Sequence, residues 1–249
     1  MSDTPPSFFA PDNGSRLAYR LRAGTAPTLV FLPGYASDMD GAKALALDRF
    51  AGERGLALLR FDYSGTGASD GRFGDGTLDR WLDDALTLID TLTDGPLILI
   101  GSSMGGWIAL HVALQRPGRV HSLVGIAAAP DFTDWGFSSA DKAEIERAGR
   151  LERANPDGGD SQTTTRAFWQ SGQALLLLEA PITIDCPVRL VHGEADADVP
   201  LGVAQRLLGR LRSADVQLKI VKGGGHRLSQ PHEIAAILRT VAELLEPNR

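Results

Sequence analysis

Short, nearly continuous apolar runs recur along the chain, bounded by glycine, proline or polar residues. They are TLVFLPG, LALLRFDYS, LILIGSS, HSLVGIAAA, VRLVHGEAD and VQLKIVKGG. Such runs are typical of strands buried on both faces of a parallel sheet. Helical periodicity separates most of them, over residues 41–54, 77–92, 104–116, 200–212 and 229–246. We therefore expect an α/β fold with a mostly parallel sheet of about eight strands, covered by helices on both faces.

Two segments depart from this alternation. Near the start, Asp12, Asn13 and Gly14 separate two short β-prone runs, which favours a hairpin and an antiparallel entry to the sheet. Between about residues 131 and 185 there is no buried-strand run, but a charged helix-like piece, a polar stretch and an apolar stretch follow one another. An insertion of this length predicts a short helical lid on one domain that spans residues 1–249.

Composition fits a soluble globule and excludes several kinds of partner. Hydrophobic residues make up 43% of the 249 residues and charged residues 22%, which is ordinary for a chain with a sizeable core. The formal net charge is -6 and no basic block occurs, whereas nucleic-acid binding needs clustered Lys and Arg. We therefore expect no nucleic-acid partner.

Cysteine usage and hydropathy bear on the compartment. The single cysteine, Cys186, excludes an internal disulfide and a cysteine-cluster metal site, and it fits a reducing environment as a space-filling residue. The first residues lack the basic and apolar regions of a secretory signal, and no apolar run reaches the roughly 18 residues of a membrane span. These features predict a cytoplasmic protein with no membrane span.

The run Gly101-Ser102-Ser103-Met104-Gly105 has the pattern G-x-S-x-G between a predicted strand and a predicted helix. This context is the one that a nucleophile elbow requires, whereas the bare pattern also fits an ordinary turn with a helix-capping serine. The glycines allow a sharp turn that exposes the middle residue. We expect Ser103 to be the nucleophile, with Ser102 directed back toward the sheet.

A serine nucleophile needs a base and an acid, and both are expected after late strands. Among the five histidines, only His226 lies in a glycine-flanked loop between a predicted strand and the last helix. The segment after the run VRLV offers three carboxylates. We choose Asp196 as the acid of the triad, and interpret Glu194 and Asp198 as turn and helix-capping residues.

Backbone N–H groups are expected to bind the oxyanion of the reaction. Met104 would supply one, because it opens a helix whose dipole favours negative charge. Tyr35 would supply the other, because Pro33 has no N–H and Gly34 frees the turn. The alternative interpretation is that the Tyr35 side chain serves simply in packing.

Together these segments resemble a known family. FLPGY, RFDYSGTGASDG, GSSMGG and HGEADADVP, in this order, look like the serine hydrolases of the α/β-hydrolase superfamily. The longer stretches FLPGYASDMDGAKALAL, DGPLILIGSSMGGWIALH and CPVRLVHGEADADVP are similar to the mitochondrial α/β-hydrolase-domain family of palmitoyl-protein thioesterases and acyl-glucuronide esterases. The resemblance implies an α/β-hydrolase fold and a triad of Ser103, Asp196 and His226.

No cofactor or metal is expected. The glycine-rich stretch from Gly65 to Gly71 fails the dinucleotide fingerprint, because Asp70 stands at its third glycine position, and no metal-ligand spacing occurs. In the family that the chain resembles, this stretch is a structural loop, with Asp62 and Ser69 satisfying turn amides.

The sequence therefore predicts an esterase or thioesterase that works through an acyl-enzyme. Its partner would be a small-molecule ester or thioester, and aromatic lid residues favour an apolar acyl pocket. We assign Trp135, Phe137 and Trp169 to that pocket. Carbon–carbon bond hydrolysis by the same triad, and a noncatalytic binding module on the same fold, remain alternatives.

Overall fold

The computed structural model describes residues 5–10, 15–153 and 162–246, with the backbone alone for Gln162. Within these residues the chain forms two sheets. The strands are β1 (Ser7–Phe9), β2 (Leu17–Arg22), β3 (Thr25–Leu32), β4 (Leu56–Phe61), β5 (Leu97–Ser102), β6 (Val120–Ile126), β7 (Arg150–Arg153), β8 (Gln162–Thr165), β9 (Val188–Gly193) and β10 (Val216–Val221).

The large sheet has eight strands in the order β1-β2-β4-β3-β5-β6-β9-β10. β1 pairs with β2 and β2 with β4 in antiparallel fashion, and every other pairing is parallel. The predicted fold class and the antiparallel entry are confirmed, although the predicted turn residues 12–14 lie outside the described residues. Because the parallel strands share one direction, their carboxyl ends meet at a single edge of the sheet, where sites collect in α/β folds.

Helices cover both faces of this sheet. They are α1 (Ala42–Arg54), α2 (Leu78–Leu92), α3 (Met104–Gln115), α4 (Phe132–Trp135), α5 (Ser139–Ala148), α6 (Arg166–Gln173), α7 (Leu201–Arg210) and α8 (Pro231–Leu245). The core between the sheet and α1 and α8 includes Phe50 and Ile237, whereas the core beneath α2 and α3 includes Trp81 and Trp107. None of the described helices combines the length and the apolar character that a bilayer crossing requires.

One strand departs from the expected burial. β10 was expected to be buried on both faces like the other apolar runs, but it lies at the edge of the sheet and pairs only with β9 among the described strands. Its residues are half-buried or exposed, and Ile220 is 47% exposed. The expectation is wrong because an apolar run does not reveal whether its strand lies inside the sheet or at an edge of the sheet, with a neighbouring strand on one side only.

The segment between β6 and β9 holds α4, α5, a small two-stranded sheet of β7 and β8, and α6. The charged helix-like piece of this segment, at residues 138–154, is helical only as far as Ala148. Gly149 then adopts φ +79° and donates its N–H to the carbonyl of Ile145. A glycine in this left-handed conformation is a common helix terminator, and here it sends the chain into β7. Most of the polar stretch that follows lies outside the described residues.

Candidate active site

Ser103 occupies a strained turn between β5 and α3. Its backbone has φ +54° and ψ -120°, a conformation that non-glycine residues rarely adopt. The flanking glycines allow this turn, because a Cβ on Gly101 would lie 2.3 Å from the Gly105 carbonyl oxygen. A Cβ on Gly105 would lie 2.1 Å from the Leu32 carbonyl oxygen. Ser102 ends β5 as a buried residue, so Ser103 is the serine presented at the carboxyl edge of the sheet.

His226 lies in the loop between β10 and α8 and reaches this serine. Its Nε2 is 3.0 Å from the Ser103 Oγ, across 123 positions of sequence. Among the described histidines, His226 is the one that hydrogen-bonds to Ser103. His121 and His232 are exposed, His111 contacts the Leu175 carbonyl from within the core, and His192 is buried at the end of β9.

Asp196 completes a chain of hydrogen bonds. Its Oδ2 is 2.9 Å from the Nδ1 of His226, and its side chain has no solvent exposure. Its Oδ1 accepts the backbone N–H groups of Asp198 and Val199, at 3.0 Å and 2.8 Å. Burial raises the pKa of Asp196, but the hydrogen bonds from His226 and Val199 outweigh burial and hold this pKa below its usual range. The carboxylate is therefore the favoured form beside the imidazole.

The neighbouring carboxylates take different places. Glu194 contacts the Lys222 Nζ at 3.0 Å and accepts the N–H of Gly223, as expected of a turn residue. The expectation that Asp198 caps α7 is wrong, because the residue before the helix is Pro200 and no side chain caps it. Asp196 instead accepts two amides of the turn before the helix, those of Asp198 and Val199.

Two backbone N–H groups lie near the serine without acceptors. Met104 begins α3 directly after Ser103, and the loop after β3 runs alongside, since a Cβ on Gly34 would lie 3.3 Å from the Ser103 Cβ. Within the described part of the chain, neither the Tyr35 nor the Met104 N–H donates to another group. Both are therefore free to bind an anionic oxygen, which is the role predicted for them.

An aromatic cluster surrounds the Tyr35 ring. Its centroid lies 5.0 Å from that of Phe168 and 6.1 Å from that of Phe132, which in turn lies 5.7 Å from Trp107. Phe73 and Trp81 complete the cluster. The Tyr35 hydroxyl donates to the Thr163 carbonyl at 2.9 Å, and burial raises the pKa of Tyr35 to about 12. The ring thus packs as expected, and it also joins the loop after β3 to the inserted segment.

The three aromatic residues assigned to the pocket have other described contacts. Trp135 Nε1 donates to the Pro130 carbonyl at 2.7 Å, and Trp169 Nε1 donates to the Thr133 carbonyl at 2.9 Å. Phe137 is buried, and the Arg153 guanidinium carbon lies over its ring, 4.6 Å from the ring centroid. These contacts hold the inserted segment together. Phe132 and Phe168 were not assigned to the pocket, and they are the aromatic residues of this segment that pack against Tyr35.

Metal and cofactor binding have few candidates. Among the described residues, Asp196, Asp198 and His226 bring three ligand atoms within 4.8 Å of one another. Two of the three side chains already hydrogen-bond to each other, and His226 also meets Ser103.

A cavity of about 270 Å³ lies at the opposite edge of the sheet, lined by residues that include Pro96 and Pro187, which precede β5 and β9. It is remote from Ser103, which follows β5 at the other end of that strand.

Comparison with known proteins agrees with this architecture. The model of the alpha/beta hydrolase family matches residues 29–237. The chain belongs to the alpha/beta hydrolase family. It is 37% identical over 247 residues to the human mitochondrial palmitoyl-protein thioesterase ABHD10, covering 98% of this chain and 81% of that protein. A monoacylglycerol lipase of Mycolicibacterium smegmatis is 27% identical over 267 residues, covering 94% of each.

A solved structure extends the likeness to three dimensions. The alpha/beta hydrolase domain-containing protein 10 from mouse superposes with a TM-score of 0.90 at 36% identity, covering 97% of this chain and 98% of that one. The sheet and helices described above are therefore those of an alpha/beta hydrolase fold. The expected likeness to the mitochondrial α/β-hydrolase-domain thioesterases is confirmed.

The predicted cytoplasmic location is wrong by the same comparison. The relatives at 36 or 37% identity, from human, orangutan, mouse, cattle and rat, are mitochondrial proteins. The prediction rested on the reducing environment that Cys186 fits and on the lack of a secretory-signal pattern and of an apolar run long enough to span a membrane. A free thiol fits any reducing compartment, so these features do not distinguish one such compartment from another.

Proposed function

We propose that this family member is a serine hydrolase that cleaves carboxylic ester or thioester bonds through an acyl-enzyme. One observation carries the proposal. Ser103, His226 and Asp196 form an unbroken chain of hydrogen bonds, with donor–acceptor distances of 3.0 Å and 2.9 Å, at the carboxyl edge of the sheet. A serine, an imidazole and a buried carboxylate in this order are the arrangement that activates a hydroxyl for nucleophilic attack.

The proposed reaction has two halves. In the first, the Ser103 Oγ attacks the carbonyl carbon while His226 Nε2 takes the hydroxyl proton, and Asp196 stabilises the imidazolium. The N–H groups of Tyr35 and Met104 bind the oxyanion. His226 then gives the proton to the leaving alkoxide or thiolate, and the acyl group stays on Ser103.

In the second half, water replaces the leaving group. His226 takes a proton from water as its oxygen attacks the acyl carbon, and then returns a proton to the Ser103 Oγ as the carboxylic acid departs. Each half moves one proton out and one back, so the enzyme is regenerated without a cofactor.

The aromatic cluster supports an apolar acyl group as substrate. Tyr35 carries a proposed oxyanion donor on its backbone while its ring packs against Phe132 and Phe168. Apolar surface beside the reacting carbonyl favours acyl chains over polar groups. The names of the relatives, a palmitoyl-protein thioesterase and a monoacylglycerol lipase, agree with this substrate class.

We further propose that residues 131–185 act as a lid on a single domain. α6 of this segment carries Phe168 against Tyr35, and the segment accepts the hydrogen bond of the Tyr35 hydroxyl. Trp135, Phe137 and Trp169 then support the lid, while Phe132 and Phe168 face the substrate side.

The deciding experiment compares Ser103→Ala with Ser102→Ala. Turnover of p-nitrophenyl and acyl-CoA esters of graded chain length should fall on the order of 10⁴-fold or more in the Ser103 variant, because a triad without its nucleophile retains only residual activity. The Ser102 variant should keep most of its turnover and should still be labelled by a fluorophosphonate. A folded Ser103→Ala protein with a near-native rate rejects the mechanism, and a wild-type protein that resists labelling favours a noncatalytic module.

A further inference from the structure

His192 is a second imidazole at the site and, unlike His226, it is buried. It is the next-to-last residue of β9, paired in register with Ile220 of β10, and it is 1% exposed. Its Nε2 lies 2.9 Å from the Val199 carbonyl oxygen. A carbonyl oxygen only accepts hydrogen bonds, so the Nε2 of His192 carries a hydrogen.

The same N–H lies beside the triad carboxylate. His192 Nε2 is 3.5 Å from the Asp196 Oδ2, the oxygen that meets His226, and both side chains are almost fully buried. The Oδ1 of Asp196 is occupied by the two turn amides of residues 198 and 199. Backbone donors thus hold one oxygen, and the other lies between two imidazoles.

His192 also fixes the turn that carries this carboxylate. The turn begins after β9, and the N–H of Val199 binds Asp196 while its carbonyl accepts from His192. The two ends of the turn are therefore tied to each other and to β9. A purely apolar side chain at position 192 would fill the space but would leave the buried carbonyl without its donor.

We propose that His192 is a positioning residue for the triad: its Nε2–H holds the Val199 carbonyl and faces Asp196 Oδ2, so that the carboxylate stays aimed at His226. The inference rests on the proposed function of Ser103, His226 and Asp196. His192 does not touch the reacting atoms and acts through Asp196.

The test compares His192→Leu with His192→Gln. The glutamine Nε2 is as many bonds from its Cα as the histidine Nε2, so glutamine can restore the donor where leucine cannot. The leucine variant should lose about 10- to 100-fold in kcat with an unchanged KM, because small misplacements of a catalytic group have effects of this order. The glutamine variant should recover to within about threefold of wild type by the same argument. Equal impairment of two folded variants, or a fully active leucine variant, would overturn the proposal.

Leu190→Ala is the matched control. Leu190 is 2% exposed, precedes His192 by two positions on β9, and has no hydrogen bond to the triad. Its truncation should weaken folding without the kcat loss of His192→Leu. A kcat loss in Leu190→Ala equal to that in His192→Leu would reduce the role of His192 to core packing and overturn the proposal.

A measurement on the unmodified enzyme covers the case in which the leucine variant does not fold. In ¹⁵N-histidine NMR spectra, His192 should be protonated at Nε2, and the signal should be the same in Ser103→Ala. A His192 with a bare Nε2 would overturn the inference. The outcome does not depend on turnover, so failure of the serine mechanism and failure of the His192 role are seen separately.

Discussion

Asp196 is the residue on which most of the hydrogen bonds of the site converge. Its two oxygens meet His226 and the amides of Asp198 and Val199. In Asp196→Asn the amide oxygen can still accept the turn N–H groups, but the amide NH₂ would face His226 and favour the wrong tautomer. We expect turnover to fall by around 10⁴-fold while circular dichroism stays that of wild type.

Asp198→Asn is the matched control for that prediction. Asp198 is exposed and contributes no cap to α7, so its replacement should change turnover by only a few-fold, through loss of a charge near His226. If the folded Asp198→Asn protein is inactive and Asp196→Asn is active, the acid of the triad has been assigned to the wrong carboxylate.

Cys186 should be an unreactive thiol. Burial raises its pKa to about 11 from an ordinary 9.0. Since only the thiolate reacts, alkylation by iodoacetamide at pH 8 should be about 100-fold slower than for an ordinary thiol. The rate should also keep rising up to about pH 11. The urea-unfolded protein provides the reference rate, and a native-state rate that levels off near pH 9 would contradict the prediction.

At the scale of elements, the glycine contacts of the elbow join β5, α3 and the end of β3. Gly105→Ala would bring its Cβ to 2.1 Å from the Leu32 carbonyl oxygen, so backbone must shift. We expect the free energy of unfolding to fall by about 2 kcal/mol or more, measured by urea denaturation. Gly209→Ala in α7 is the control, because nothing lies within 4 Å of its added methyl. It should stabilise the protein by about 0.5–1 kcal/mol, and equal effects of the two substitutions would contradict the prediction.

Much of this element structure follows from the sequence. The apolar runs predicted the strands of the large sheet apart from the first two, which the hairpin signal supplied, and helical periodicity predicted five helices to within a few residues. The exposure of β10 and the pairing of β7 with β8 did not follow. Both depend on which segments become neighbours, and polar strands such as QTTT have no apolar alternation to reveal them.

The site was predictable where local geometry decides it. A G-x-S-x-G elbow and a glycine-flanked histidine pointed to Ser103 and His226, which the structure brings to 3.0 Å. The roles of Asp198 and His192 were not predictable, because both depend on how the turn after β9 folds back. A carboxylate shortly before a helix suggests a cap, whether or not its side chain reaches the first helical amides.

Asp62 links separate parts of the molecule and should make stability depend on pH. It is 1% exposed and accepts the N–H groups of Met39 and Ala68, at 2.7 Å and 2.8 Å, so it joins the loops after β3 and β4. Burial raises its pKa to about 6. A raised folded-state pKa contributes stability that is full below the unfolded value and is lost as pH rises through about 6.

The comparison with Asp62→Asn isolates this effect. Between pH 4 and pH 7.5, urea unfolding of the wild type should lose up to about 3 kcal/mol relative to the non-titrating variant. Asp185→Asn is the control. The hydrogen bond to Arg212 lowers the pKa of Asp185, so the contribution of Asp185 to stability is lost as pH falls instead. The prediction would be contradicted if the difference in unfolding free energy between wild type and Asp62→Asn did not change with pH, or changed in the opposite direction.

The order of strands in the sheet determines when Ser103, Asp196 and His226 come together during folding. Serine and base are 123 positions apart, and in sheet order β10 lies three strands beyond β5. In the proposed mechanism, a chain cleaved before β9 holds Ser103 with neither Asp196 nor His226, and a chain halted before β10 docks still lacks His226. Pairing of segments distant in sequence is slow, and the three proposed catalytic groups come together only when both β9 and β10 are in the sheet. We therefore expect a molecule in which β10 has not docked to lack the proposed hydrolase activity.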